Sequence, residues 1–211
     1  MRLHACLIPI LAALLAVTAV EARQDDPRLD ELFRDLQDSA TSDAEARVAE
    51  TAIWRIWTDP GEPELGALMA RGILAMASDD TDTALAAFDE VVSRDAVFAE
   101  GLNKRATVEF LRGDYTASVA DIERTLALEP RHFGALSGLG QIYLELGNKP
   151  AALKAFEAAL KIDRHLKSVE EAVKSLKKDL GGSPTWRTVG RARQGWIMPS
   201  RPIMGQPCHR V

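Results

Sequence analysis

Apolar residues recur three and four positions apart along most of the chain, which is the spacing of an amphipathic helix. Alanine and leucine dominate these positions, and both residues are strong helix formers. Six such segments follow one another in the middle of the chain, separated by short turns. We place these predicted helices at residues 66–77, 82–94, 100–112, 116–128, 134–146 and 150–162. The pattern therefore predicts an all-α fold.

The six segments form three pairs that repeat with a period of 34 residues. Each pair has a small residue in its first helix, a small residue in its second helix, and a large apolar residue four positions later. The aligned residues are Gly72, Ala106 and Gly140; Ala84, Ser118 and Ala152; and Phe88, Ile122 and Phe156. Small residues let two helices approach closely, and the large residue fills the space beside that contact.

Turn chemistry follows the same period. Gly113-Asp114 and Gly147-Asn148 suit the turn between the two helices of a pair, and Pro130 suits the junction with the next pair. Acidic residues also align at the junctions, at Asp95, Glu129 and Asp163. The acidic run at residues 79–82 lacks the glycine and the closing glutamate of a calcium loop, and we interpret it as a turn with a helix cap.

The last pair reads Leu136-x2-Leu139-Gly140-x2-Tyr143 and then Ala152-x3-Phe156. With the 34-residue period, this pattern resembles the tetratricopeptide repeat (TPR), with leucine in place of the usual tryptophan. The resemblance covers about residues 65–166 as three repeats and implies a solenoid of helix–turn–helix units. A broader resemblance, over residues 27–180, is to small exported TPR proteins of Gram-negative bacteria. It implies a periplasmic protein with envelope-related partners and no chemistry of its own.

Two further helical regions flank the repeats. Residues 27–60 carry two apolar stripes separated by a polar turn, and we interpret them as a degenerate repeat that caps the N-terminal end, because terminal repeats are usually atypical. Residues 166–180 have an apolar face and a charged face, which is the pattern of a C-terminal capping helix.

The first 22 residues predict a secretory signal peptide, with a positive residue at Arg2, an apolar run from Leu7 to Val20 and cleavage after Ala22. The alternative is an uncleaved membrane anchor, although the run is shorter than the roughly 20 apolar residues that span a bilayer. We therefore expect a soluble protein of the periplasm. Cleavage removes Cys6 and leaves Cys208 as the single thiol, so no intramolecular disulfide is expected.

Residues 181–211 contain glycine, proline and five arginines and show no helical period. We interpret them as a disordered basic tail that contacts anionic lipid or the acidic part of the chain. Two alternatives stay open: a peptide that folds back on the concave face, and an artefactual end of the sequence. The net charge is −5, and without this tail the rest of the chain is more acidic still, which argues against a nucleic-acid partner.

The sequence offers no catalytic motif. It contains no nucleophile elbow, phosphate loop or dinucleotide fingerprint, and its histidines and cysteines lack the spacing of a zinc site. His132 and His165 occupy equivalent junctions between repeats, where we expect them to be surface residues. The chain is therefore predicted not to be an enzyme, and no cofactor or metal is expected.

In a TPR solenoid the first helix of each repeat lines the concave face, which is the usual binding surface. By the repeat alignment we predict that a protein or peptide partner binds on ten residues there: Met69, Ile73, Met76, Asn103, Lys104, Thr107, Phe110, Ser137, Gln141 and Leu144. Alternatively, these residues are simply solvated or are covered by a second copy of the chain.

Two functions fit these features. The first is an exported interaction module or adaptor that binds partners in the concave groove. The second is an accessory or regulatory subunit of an envelope machine, held at the membrane by the basic tail or by an uncleaved anchor.

Overall fold

A computed structural model describes residues 23–181 of the 211-residue chain. The predicted signal peptide at residues 1–22 and residues 182–211 of the predicted tail lie outside the described residues. A short 3-10 turn, Arg23–Asp25, precedes nine α-helices in the described part. The helices are α1 (Leu29–Gln37), α2 (Asp43–Thr58), α3 (Pro63–Ala77), α4 (Thr81–Arg94), α5 (Ala99–Leu111), α6 (Tyr115–Leu128), α7 (Phe133–Glu145), α8 (Lys149–Ile162) and α9 (Lys167–Gly181). The prediction of an all-α solenoid is confirmed.

Within each repeat the two helices meet at the small residues of the aligned pattern. A Cβ atom built on Gly72 would lie 2.5 Å from Cζ of Phe88, and one built on Gly140 would lie 2.4 Å from Cε1 of Phe156. Both rings are fully buried, so the glycines give the rings the space that a methyl group would fill. Ser118 belongs to the same contact in the middle repeat, because its hydroxyl donates a hydrogen bond to the carbonyl of Ala106 at 2.7 Å.

The turns inside the three repeats share one backbone conformation. The aligned residues Asp79, Gly113 and Gly147 adopt φ angles of 57°, 78° and 70°, in the left-handed region that glycine adopts most easily. The next residue then caps the second helix by accepting a hydrogen bond from a backbone N–H three positions later. The capping residues are Asp80, Asp114 and Asn148.

The aligned acids shape the junctions between repeats. A carboxylate oxygen of Asp95, Glu129 or Asp163 accepts a hydrogen bond from the backbone N–H two positions later, at 3.2, 2.9 and 2.8 Å respectively. Each acid therefore closes a tight turn where one repeat passes to the next.

The last repeat is covered by α9. The side chains of Val169, Val173 and Leu176 pack on α8 around Ala152 and Phe156. The outward face of α9 is rich in lysine and glutamate, which suits the closed end of a solenoid.

The N-terminal pair, α1 and α2, lies along the junctions between repeats, where α2 contacts α5 and α1 contacts α8. Polar contacts fix the pair and the 3-10 turn before it to three successive junctions. Gln24 donates to the carbonyl of Val97 at 3.1 Å, Arg131 pairs with Asp30 at 2.7 Å, and Lys167 pairs with Asp43 at 2.9 Å. This position differs from that of a repeat stacked in series on α3. The apolar face of the pair is buried together with Phe133, at the start of α7.

Candidate functional site: the concave face

One half of the concave face is filled by two tryptophans of α2. The ring of Trp57 stacks on His132, with centroids 4.2 Å apart and planes inclined by 9°. Trp54 contacts Phe133 edge-to-face at 5.2 Å. A Cβ atom built on Gly134 would lie 2.7 Å from Cη2 of Trp54, so the glycine leaves room for the indole. The N-terminal ends of α5 and α7 therefore form a pocket that the chain itself occupies.

A buried polar cluster lies beneath these rings. The Glu100 carboxylate is 2.9 Å from Nε2 of His132 and accepts a hydrogen bond from the Asn103 amide at 2.9 Å, and the ammonium of Lys104 is 3.1 Å from its other oxygen. Nδ1 of His132 accepts from the backbone N–H of Ala135. The imidazole proton is then on Nε2, where it is donated to Glu100.

The contacts of this cluster determine whether the carboxyl group of Glu100 is ionised. Burial alone would raise the pKa of this carboxyl group, because a charge is poorly solvated inside a protein. The hydrogen bond from His132 and the charge of Lys104 outweigh that effect and hold the pKa below its usual value. Glu100 is therefore an ionised group whose charge is balanced within the chain.

Three of the ten predicted groove residues are engaged by these internal contacts or by the core. Asn103 is buried and donates to Glu100. Lys104 pairs with Glu100 and lies over the Trp54 ring, 5.5 Å from its centroid. Met69 is buried in the core of the first repeat. Ser137 is half-buried and donates to the carbonyl of Phe133 at 2.8 Å within α7, as Thr107 donates to the carbonyl of Asn103 at 2.9 Å within α5.

Six of the seven remaining predicted residues occupy aligned positions of α3, α5 and α7 on the other half of the concave face, which we call the open strip. They are Ile73, Met76, Thr107, Phe110, Gln141 and Leu144. Ile73 and Gln141 are exposed and the other four are half-buried. Four of the six are apolar and none is charged, whereas Thr107 of the second repeat and Gln141 of the third repeat supply polar groups. The strip crosses α3, α5 and α7, so a ligand lying along it would touch all three repeats.

The expectation that His132 is a surface residue is wrong. Its side chain is fully buried under Trp57. The repeat alignment already indicated a buried position. The residues 34 positions before and after His132 are Phe98, which is buried, and Leu166, which packs against the core of the N-terminal pair. His165 is half-buried, and its Nδ1 lies 3.1 Å from a carboxylate oxygen of Asp43.

Within residues 24–181, no group of three or more histidine, cysteine, aspartate and glutamate side chains is arranged to hold a metal ion. In the same part of the chain, no helix combines the length and the apolar character needed to span a bilayer.

Comparison with known proteins identifies the repeats. The family profile of the tetratricopeptide repeat matches residues 69–124 and 104–167. A TPR repeat-containing protein of Rhizobium etli is 37% identical over 158 residues, which cover 75% of this chain and 77% of that protein. The predicted resemblance to TPR proteins is confirmed.

Solved structures share the fold at low sequence identity. The Sgt2 TPR domain of Aspergillus fumigatus aligns with a TM-score of 0.54 and 17% identity, over 66% of this chain and 93% of that one. The TPR2B domain of yeast Sti1, solved in complex with pHsp70, aligns with a TM-score of 0.52 and 15% identity, over 56% of this chain and 99% of that one. The crystal structure of MamA aligns with a TM-score of 0.52 and 18% identity, over 75% of this chain and 84% of that one.

Proposed function

Because the chain belongs to the tetratricopeptide repeat family, we propose that it is an interaction module that binds a peptide segment of a protein partner on the open strip. Members of this family typically act as scaffolds rather than enzymes, and we propose the same role here, without a cofactor. The proposal depends on one observation: α2 fills the half of the concave face around Glu100, while Ile73, Gln141 and their neighbours stay accessible.

The open strip suggests the chemistry of its ligand. Its apolar side chains favour a segment with apolar side chains of its own, and methionine adapts to their shape. The amide of Gln141 can pair with the backbone of an extended peptide. A grip on a terminal carboxylate through Asn103 and Lys104 is disfavoured, because both groups already bind Glu100.

The yeast Sti1 domain, solved in complex with pHsp70, supports the general mode, since the same fold holds a protein-derived ligand there. The partner of this chain is a separate question. We propose an exported protein that meets its partner in the periplasm, on the strength of the signal-peptide pattern of residues 1–22.

The basic tail favours a second candidate, an accessory subunit at the membrane surface. Residues 183–211 carry five arginines and no acid, and clustered arginines attract anionic lipid. Fractionation of the source cells separates the two candidates. Release from the membrane by salt supports the accessory subunit, because salt screens the attraction, whereas recovery in the soluble periplasmic fraction at low salt supports the adaptor.

The binding proposal is tested by selecting peptides from a displayed library on the full chain and measuring the affinity of the enriched peptides. The groove variant is Ile73→Glu with Gln141→Glu, which adds two charges to the open strip. The matched control is Val48→Glu with Gln37→Glu, at exposed positions of α2 and α1.

We expect the groove variant to weaken binding at least tenfold, which is about 1.4 kcal/mol, and the control to bind like the wild type. Failure to enrich any peptide, or an equal loss in both variants, contradicts the proposal.

A further inference from the structure

The helix α3 turns an apolar face outward at the start of the solenoid. Its outward residues are Pro63, Ala67, Ala70, Leu74 and Ala77, all of them exposed. They are spaced three and four apart and therefore share one side of the helix. Leu74 is 68% exposed. A helix face in contact with water is normally polar, so this face requires an explanation.

The two later repeats show what this face does elsewhere in the chain. Leu74 aligns with Val108 and Ile142, which are both 0% exposed. Ala67 aligns with Gly101 and Ala135, which are also buried, and a Cβ atom on Gly101 would lie 2.7 Å from Val91 of the preceding repeat. These are the positions through which each repeat stacks on the one before it.

Among the described residues 23–181, no repeat covers this face of the first repeat, because α1 and α2 lie along the junctions and in the groove. We call it the stacking face: Ala67 and Leu74 occupy the aligned stacking positions, and Pro63 and Ala70 lie beside them on the same side of α3. We propose that the stacking face packs against the stacking face of a second copy of this chain, with the two α3 helices antiparallel about a two-fold axis.

The polar surface at the other end of the solenoid favours a two-fold contact over a head-to-tail contact. There α9 presents charged and polar residues outward, at Glu171, Lys174, Ser175 and Lys178. A head-to-tail contact would bury these charges against apolar side chains, which is costly. In a two-fold contact the apolar face of each copy packs on the same face of the other, and the assembly is complete with two copies.

The stacking face is also complementary to itself in charge. Glu64 and Arg71 are both exposed and lie seven residues apart on the same edge of α3, and Glu64 is 78% exposed although it also lies 3.2 Å from Arg94 of its own chain. When two α3 helices cross antiparallel beside Ala67, Glu64 of each copy lies opposite Arg71 of the other. In this register Leu74 of one copy packs close to Pro63 of the other.

The size of the contact sets the expected affinity. A contact built on one helix from each copy is small, and weak or transient interfaces bury less than about 1,200 Å² in total. We expect a dissociation constant of roughly micromolar order.

Sedimentation velocity of the full chain over a wide concentration range tests the proposal, with far-UV circular dichroism to verify folding. Leu74→Glu should weaken the dimer at least tenfold. The control Val48→Glu, at another exposed apolar residue, should leave it unchanged. Arg71→Glu should also weaken the dimer, because it places a carboxylate opposite Glu64 of the other copy.

A wild-type chain that stays monomeric at every concentration overturns the proposal. So does a dimer that survives Leu74→Glu, or one that Val48→Glu weakens equally. The contact does not use the open strip, so its failure leaves the proposed peptide binding unaffected.

Discussion

Replacing Gly140 with alanine sets two effects of known size against each other. Alanine stabilises a helix interior by about 1 kcal/mol relative to glycine. The new methyl group would lie 2.4 Å from the ring of Phe156, and overpacking a core costs about 1–3 kcal/mol. Because the ring is fully buried and three of its atoms would lie within 2.7 Å of the new methyl group, we expect a cost at the upper end, about 2–3 kcal/mol, and a net destabilisation of about 1–2 kcal/mol.

The middle repeat indicates how the clash can be relieved, since it pairs Ala106 with Ile122 at the same two positions. Phe156→Ile alone leaves a cavity and should cost about 1–3 kcal/mol. Combined with Gly140→Ala, the smaller side chain makes room for the methyl group. The double variant should be more stable than the sum of the single effects predicts, by at least about 1 kcal/mol.

Urea unfolding followed by circular dichroism measures all four proteins of this cycle. Gly138→Ala is the matched control in the same helix, because its Cβ would lie 3.7 Å from Ile122, which is an ordinary contact. It should be neutral or stabilising. The reasoning is refuted if Gly140→Ala behaves like Gly138→Ala, or if the effects of Gly140→Ala and Phe156→Ile simply add.

Two further predictions concern single positions. Asp79 holds a φ of 57° where the later repeats have glycine, and a side chain in this region costs about 1–2 kcal/mol, whereas glycine costs about 0.4–1 kcal/mol through the entropy of the unfolded chain. Asp79→Gly should therefore raise the free energy of unfolding by about 0.5–1 kcal/mol; an unchanged urea midpoint would contradict this. Burial, together with the charge of Asp121, raises the pKa of Glu109 to about 7. The folded state therefore holds this proton more tightly than the unfolded state, so ionised Glu109 destabilises the fold above pH 7, and that cost disappears as the pH falls toward 4.5. Glu109→Gln should exceed the wild type in stability by about 1 kcal/mol at pH 8, allowing for screening by nearby solvent, and by little at pH 5; a pH-independent difference would contradict the assignment.

The sequence predicted the repeats well because their structure is local. The 34-residue period located Gly72, Gly140 and the turn glycines, and each has the role that its position indicated. These features depend on residues within about one repeat of each other, so that a single chain displays them as a pattern.

The position of the N-terminal pair was harder to predict because it depends on contacts over about 100 residues. Nothing local to Trp57 indicates that its ring stacks on His132. The same difficulty affected Asn103 and Lys104. The alignment placed both on the concave face, but it could not show that Glu100 and α2 engage them.

Both binding surfaces depend on one packing arrangement, in which α2 fills half of the concave face and leaves the open strip and the stacking face uncovered. Nuclear Overhauser contacts of the Trp57 ring in the full chain test it most directly, with the ring signals assigned through a Trp57→Phe variant. We expect cross-peaks between Trp57 and His132, whose ring centroids are 4.2 Å apart. Cross-peaks from Trp57 to the methyl groups of Leu74, without any to His132, would instead place the pair as a cap on α3 and contradict the account.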